Sequence, residues 1–108
     1  MKMHNTILLL VSLIFSSSLY ARGEISTIPS QIFKGCAKCH GKDGKNEAYG
    51  RSEPLAGQDT EDLIESINFF KNSKFGKKGV ILVMAKQVNH LNDKQIKNLA
   101  IYISNLGK

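Results

Sequence analysis

The stretch that decides the fold is Cys36-Ala37-Lys38-Cys39-His40, two cysteines separated by two residues and followed directly by a histidine. On a helix, residues three and four positions apart share a face, so Cys36 would lie beside both Cys39 and His40. Two thiols and one imidazole on one turn can form two thioether bonds to a porphyrin and supply an axial nitrogen to its iron. The pattern therefore predicts one covalently attached haem c and its iron, with Cys36 and Cys39 as attachment points and His40 as a ligand.

Three other uses of paired cysteines fit the sequence less well. A zinc site needs four ligands, and after the motif the chain has only His90 as a further histidine. A thioredoxin-like redox pair belongs to a βαβ sheet protein, whereas this sequence shows no sustained strand-like alternation. A disulfide across two intervening residues would close a very small loop and leave His40 without a role.

Two helices are predicted around the motif and after it. The first begins near Pro29, a residue tolerated in a first helical turn, and is broken after the motif by Gly41. The second begins with Asp59 or Thr60 as its N-cap and has acidic residues in its first turn, where they favour the helix dipole. Its apolar stripe consists of Leu63, Ile67 and Phe70.

The last helix has the clearest start signal. Asn92 is the predicted N-cap, Gln95 three residues later completes a capping box, and Leu91 is placed to pack on Ile96 across the cap. The predicted buried stripe is Ile96, Leu99, Ala100, Ile103 and Leu106. With no strand pattern elsewhere, the sequence predicts an all-α fold with three main helices.

Residues 1–21 have the order of a secretory signal: a basic residue near the start, an apolar run, and small residues before Ala21. We expect removal after Ala21, with cleavage after Ser18 or retention as an anchor as the alternatives. The apolar run is shorter than the roughly 20 residues of a membrane-spanning helix, so no stable membrane insertion is expected. The mature protein would then be a single domain of residues 22–108 in the periplasm.

The full chain has 15 basic and 9 acidic residues and a formal net charge of +6. Removing residues 1–21 would remove one lysine, leaving fourteen basic and nine acidic residues and a net charge of +5. Excess lysine is common on solvated surfaces, but it also favours docking to acidic partners, whereas nucleic acid is a poor partner for an exported chain. The lysines in segments that could surround an exposed haem edge are Lys34, Lys38, Lys42, Lys45, Lys71, Lys74, Lys77, Lys78 and Lys86.

The other face of the iron decides between an electron carrier and an enzyme or sensor. Met84 is the only methionine after residue 21, and it lies in an apolar stretch that we predict to be part of a loop before the last helix. A methionine there either binds iron or fills a gap in the core. His90 is the rival ligand, but its place beside the predicted N-cap favours a surface side chain.

These residues resemble a class I c-type cytochrome, and most of all the small bacterial c553 group. The motifs that carry the resemblance cover the mature chain and occur in the family's order. They are the haem-binding run with Gly41-Lys42-Asp43-Gly44 after it, then Pro54-Leu55-Ala56-Gly57-Gln58, then Met84, then Leu99-Ala100-Ile101-Tyr102-Ile103. The resemblance implies the cytochrome c fold, with three main helices and loops wrapped around one covalently bound haem.

The resemblance also implies roles for individual residues. It makes His40 the fifth iron ligand and Met84 the sixth, and it makes the carbonyl of Pro54 the acceptor that orients His40 through the other ring nitrogen. It further implies that Gly35 and Phe33 on the first helix meet Tyr102 on the last, with the glycine allowing the two backbones to approach.

The predicted function is therefore that of a monohaem, soluble one-electron carrier of the respiratory chain. We expect no enzymatic activity, because the sequence offers no nucleophile with a base and no acidic dyad. Expected partners are redox proteins such as a quinol-cytochrome c reductase and a terminal oxidase or cytochrome c peroxidase. The protein is expected to be a monomer. The alternative is a gas-binding or peroxidatic c-type haem protein with an open sixth position, as in the cytochrome c′ type, which carries its motif near the carboxyl terminus instead.

Overall fold

The computed structural model describes residues 27–73 and 78–108. Their α-helices are α1 (Pro29–His40), α2 (Thr60–Asn72), α3 (Val80–Val88) and α4 (Asp93–Ser104), with a short 3₁₀ turn at Ala48–Gly50. Within these two segments there is no strand, which confirms the all-α prediction, and no helix there has the length and apolar character needed to cross a membrane. The predicted signal at residues 1–21, together with Lys74 and Lys77, lies outside the described residues.

Helix α1 begins and ends where the sequence predicts. Pro29 occupies the first turn. After the last helical residue, Gly41 has a φ of 84°, and its N–H donates to the carbonyl of Ala37 at 2.9 Å. A β-carbon at Gly41 would lie 2.9 Å from Cγ of Asn46, so both the backbone angle and the space require glycine. The chain therefore turns away from the helix directly after His40.

The capping box of helix α4 is formed as predicted. The side chain of Asn92 accepts a hydrogen bond from the Gln95 N–H at 2.8 Å, and the Gln95 side chain accepts one from the Asn92 N–H at 2.9 Å. Leu91 and Ile96, on either side of the cap, are each 1% exposed. The cap thus satisfies two backbone donors and directs α4 into the core.

The core lies where α4 packs between α1 and α2, and α3 packs against α2. Phe33 of α1 and Tyr102 of α4 are in contact, with ring centroids 5.6 Å apart, as the resemblance implies. The buried core side chains are Phe33, Leu63, Ile67, Val88, Leu91, Ile96, Leu99, Ala100 and Ile103. The predicted stripes of α2 and α4 therefore supply most of the core, with Phe70 and Leu106 half-buried against it.

Helix α3 is the main difference from the sequence prediction, which places a loop between α2 and the last helix. Its first four residues, Val80–Val83, include three β-branched side chains, which have low helix propensity. However, Met84, Ala85 and Val88 recur at helical spacing, and Ala85 and Val88 are buried. Packing of this face against α2 therefore outweighs local propensity, and the loop prediction was wrong for these residues.

Candidate haem-binding site

A cavity of about 360 Å³ is lined by residues from all four α-helices and from the loop between α1 and α2. The sequence-predicted residues Cys36, Cys39 and His40 line it from α1, and Met84 lines it from α3. The remaining lining is largely apolar and includes the core residues Leu63, Ile67, Val88, Leu99 and Ile103. Four residues that the sequence predicts as haem contacts are thus brought to one pocket.

The two cysteines differ in their surroundings. Cys36 is half-buried and Cys39 is exposed, and both are free thiols. Burial raises the pKa of the Cys36 thiol, while its hydrogen bond toward the backbone acts in the opposite direction. Both sulfurs are one helical turn apart beside the cavity, which is the arrangement that two thioether bonds to one porphyrin require.

His40 is the last residue of α1 and is only 5% exposed. Burial lowers its pKa, so the imidazole is neutral near pH 7, and neutral imidazole is the form that binds iron. Its backbone carbonyl accepts a hydrogen bond from the Asn46 N–H at 2.9 Å, which holds the residue at the cavity. Among the described residues, the buried Nδ1 of His40 has no hydrogen-bond partner.

These properties fit a haem c. A histidine ligand is a neutral imidazole that binds iron through one ring nitrogen. Its other ring nitrogen carries a proton and needs a hydrogen-bond acceptor, which fixes the orientation of the ring. The donor set of two thiols, one imidazole and one thioether matches covalent attachment and axial ligation. Cys36, Cys39, His40 and Met84 are therefore the residues that would hold the group.

Pro54 lies on the loop that leads into α2, and its carbonyl accepts a hydrogen bond from Nε2 of Gln58 at 2.7 Å. A carbonyl oxygen has two lone pairs, so this bond leaves one for a second donor. The adjacent residues Glu53 and Leu55 line the cavity, as does Gln58. The role of Pro54 as acceptor for His40 stays a prediction.

Met84 is half-buried and packs against the hydrophobic core while also lining the cavity. The two roles that the sequence leaves open, core filler and iron ligand, are therefore compatible. Its position follows from helix α3, which turns the side chain toward both surfaces. His90, the rival ligand, is exposed and is not among the residues that line this cavity.

Tyr49 and Gln58 are two of the cavity residues whose roles the sequence does not predict. Tyr49 has a left-handed backbone, with φ 55° and ψ 22°, and its side chain is 61% exposed at the cavity. It sits in a turn closed by the Arg51 N–H, which donates to the carbonyl of Ala48 at 3.1 Å. Gln58 is the other, and its bond to Pro54 depends on the loop conformation. A Tyr-Gly pair is a weak signal for such a turn, which is why local sequence did not identify it.

Comparison with known proteins places these residues in context. Residues 29–107 match the family model named Cytochrome c. The chain is similar to cytochrome c-553 of Nitratidesulfovibrio vulgaris (strain DSM 19637 / Miyazaki F), with 26% identity over 102 residues, which cover 93% of this chain and 97% of the relative. It is also similar to cytochrome c-553 of Helicobacter pylori (strain J99 / ATCC 700824), with 33% identity over 87 residues, which cover 81% and 86% of the two chains.

Proposed function

Because the chain belongs to the cytochrome c family, we propose that it is a periplasmic one-electron carrier in which His40 and Met84 are the two axial ligands of the haem iron. Family membership assigns one covalently bound haem c to the chain, and Cys36 and Cys39 are the cysteines of its attachment motif. When bound, this group supplies reversible one-electron chemistry at iron.

The observation that carries the proposal is that His40 and Met84, which are 44 positions apart in the sequence, line the same cavity. The buried His40 imidazole is held neutral, and the Met84 thioether is a soft donor that favours the reduced iron. With both side chains as ligands, the iron would have no open position for a substrate or a gas. The largely apolar lining would also exclude water and so favour the less charged, reduced state.

The proposed place of action is the periplasm. The signal pattern of residues 1–21 supports export. Covalent attachment through Cys36 and Cys39 would prevent loss of the group outside the cytoplasm. We propose that the monomer carries electrons from a quinol-cytochrome c reductase to a terminal oxidase or a cytochrome c peroxidase, and that it converts no substrate of its own.

The distribution of charge supports docking to an acidic partner. Residues 47–65 contain six acidic residues and one basic residue, whereas residues 66–108 contain eight basic residues and one acidic residue. Lys38 is exposed and lines the cavity beside Cys39, so one positive charge is placed where the haem edge would emerge. Such an uneven charge distribution would orient the molecule during encounter and speed association at low salt.

The test is an optical spectrum of protein purified from cells that mature c-type haem. We expect a low-spin reduced spectrum and, in the oxidised protein, the near-infrared charge-transfer band of ferric iron bound by methionine sulfur. Met84→Ala should lose this band and bind carbon monoxide. Leu82→Ala serves as the control, because it removes an apolar side chain from the same helix but not from the cavity lining.

The alternative function predicts different spectra. A gas-binding or peroxidatic haem protein would give a high-spin wild-type spectrum that shifts with carbon monoxide, and Met84→Ala would change little. That result would overturn the carrier proposal.

A further inference from the structure

A second cavity, of about 300 Å³, adjoins the haem-binding cavity and is lined by residues of α1, of α3 and of the turn after α3. The residues that line both cavities are Gly35, Cys36, Gln87 and Val88. We infer that the second cavity binds water, and that the Gln87 side chain closes the haem-binding cavity against this water. The inference goes beyond the proposed function but rests on it, because it concerns the access of water to an iron held by His40 and Met84.

The polar side chains of the second cavity suit it to water. The carboxamides of Gln31 and Gln87 and the imidazole of His90 line it. A carboxamide both donates and accepts hydrogen bonds, and an imidazole has at least one donor. An ordered water needs two to four polar partners and enough space for one molecule, and this cavity provides both. The haem-binding cavity is largely apolar, so the shared residues separate a hydrated space from a dry one.

The Gln87 carboxamide lies over Gly35 at this boundary. A β-carbon placed at Gly35 would lie 3.5 Å from Oε1 of Gln87. Apart from the chain neighbours of Gly35 and the backbone of α1, no other atom of the described residues lies within 4 Å of that position, and Tyr102 does not reach it. Glycine contributes no side chain, so the carboxamide fills the space between α1 and α3 here. Gln87 is exposed, as expected for a side chain with a cavity on either side.

Closure by Gln87 would matter most on the Met84 side of the iron. Met84 and Gln87 are three positions apart on α3, so they share a face of the helix, and both line the haem-binding cavity. A gap at residue 87 would therefore admit water beside Met84. The apolar shell of a metal site controls solvent access and with it the reduction potential. Water near the iron stabilises the more highly charged ferric state, so closure by Gln87 keeps the reduction potential high.

The experiment compares Gln87→Ala with the wild-type holoprotein. Alanine has the highest helix propensity, so α3 should form and the methionine charge-transfer band should be retained. In ferric protein exchanged into D₂O, pulsed EPR detects exchangeable deuterons near the iron, and we expect their signal to rise. The reduction potential should fall by about 30 mV, a roughly threefold change in the one-electron equilibrium constant at about 59 mV per tenfold.

Two matched controls separate closure from other effects of the substitution. Gln31→Ala removes the same carboxamide from the second cavity but not from the boundary, and it should leave both measurements at their wild-type values. Gln87→Leu removes the polarity of the side chain but keeps its bulk, so the cavity should stay closed and the deuteron signal low. If Gln87→Ala fails to mature, Gln87→Ser makes the same gap and should give the same two changes.

Three results would overturn the inference. If the deuteron signal does not rise in Gln87→Ala, the carboxamide does not exclude water, whatever the reduction potential does. An equal rise in Gln31→Ala would show that any truncation in the second cavity loosens the site. Equal changes in Gln87→Leu would assign the effect to the polarity of the amide and not to closure. Each of these is distinct from failure of the proposed function, which would appear in the wild-type protein as the absence of the methionine band.

Discussion

The ring of Phe33 on α1 meets the ring of Tyr102 on α4 at a centroid distance of 5.6 Å and an interplanar angle of 55°. This tilted pair joins the first and last helices of the described chain, and Phe33 is only 3% exposed. The tilted geometry is favourable for aromatic side chains, because the electron-poor edge of one ring approaches the electron-rich face of the other. The pair therefore holds the helix that carries the haem-binding motif against the core.

Replacing Phe33 by alanine should lower the free energy of unfolding by about 3–5 kcal/mol, since it leaves a cavity and removes the ring contact. The measurement is denaturant-induced unfolding of the holoprotein. Ile101→Ala, at a 40% exposed position on α4, is the control and should change stability by less than about 0.5 kcal/mol. Equal losses for the two variants would contradict the packing argument.

Replacing Asn92 by alanine should cost about 1 kcal/mol, because the N–H of Gln95 loses its acceptor at the start of α4. Thermal unfolding measures the change. Asn98→Ala, in the interior of the same helix, removes an amide that has no capping role. If the two variants have the same melting temperature, the capping box does not stabilise α4 as its geometry indicates.

Alanine variants at Gly41 and Gly57 distinguish the cost of backbone strain from the cost of a steric clash. Both have positive φ, 84° and 80°, but a β-carbon would meet Asn46 at Gly41 and nothing within 4 Å at Gly57. Gly57→Ala should cost about 1 kcal/mol from backbone strain alone. Gly41→Ala should cost more, and it should also weaken the methionine charge-transfer band by displacing His40. An equal loss of stability at both sites would show that Asn46 moves away freely.

Tyr49 is expected to lower the stability of the folded protein relative to glycine at the same position. Its left-handed backbone costs about 1–2 kcal/mol, because the β-carbon lies close to the following carbonyl oxygen, and glycine has no β-carbon. Tyr49→Gly should therefore raise the melting temperature, whereas Tyr49→Ala, which removes the ring but keeps the β-carbon, should not. A gain of similar size for both variants would place the cost in the exposed ring and not in the backbone.

Docking through Lys38 predicts a salt-dependent rate. Reduction of the protein by a quinol-cytochrome c reductase should slow as ionic strength rises, and Lys38→Gln should slow it several-fold at low salt only. Lys94→Gln on α4 removes the same charge at a residue that does not line the cavity, and it should have a smaller effect. A rate that is independent of salt would argue against electrostatic docking.

Local signals explain how much of the fold was predictable. Pro29 and Gly41 bound α1 and Asn92 with Gln95 starts α4, because these residues act on their own backbone or on neighbours within one helical turn. The C-x-x-C-H run predicts covalent haem for the same reason, since its two cysteines and its histidine share one helical turn. The resemblance then supplied the role of Met84, for which the residues alone left two interpretations open.

The sequence by itself thus determined the cofactor, the helical class, both ends of α1 and the starts of α2 and α4. Tertiary structure decided helix α3, where burial of Ala85 and Val88 against α2 outweighs the low helix propensity of Val80–Val83. It also decided that Met84 lines the cavity of His40, and that the Gln58 amide reaches the Pro54 carbonyl. Contacts between side chains far apart in sequence, or across a turned loop, depend on how the helices pack, and packing energy has no signature in a local stretch of sequence.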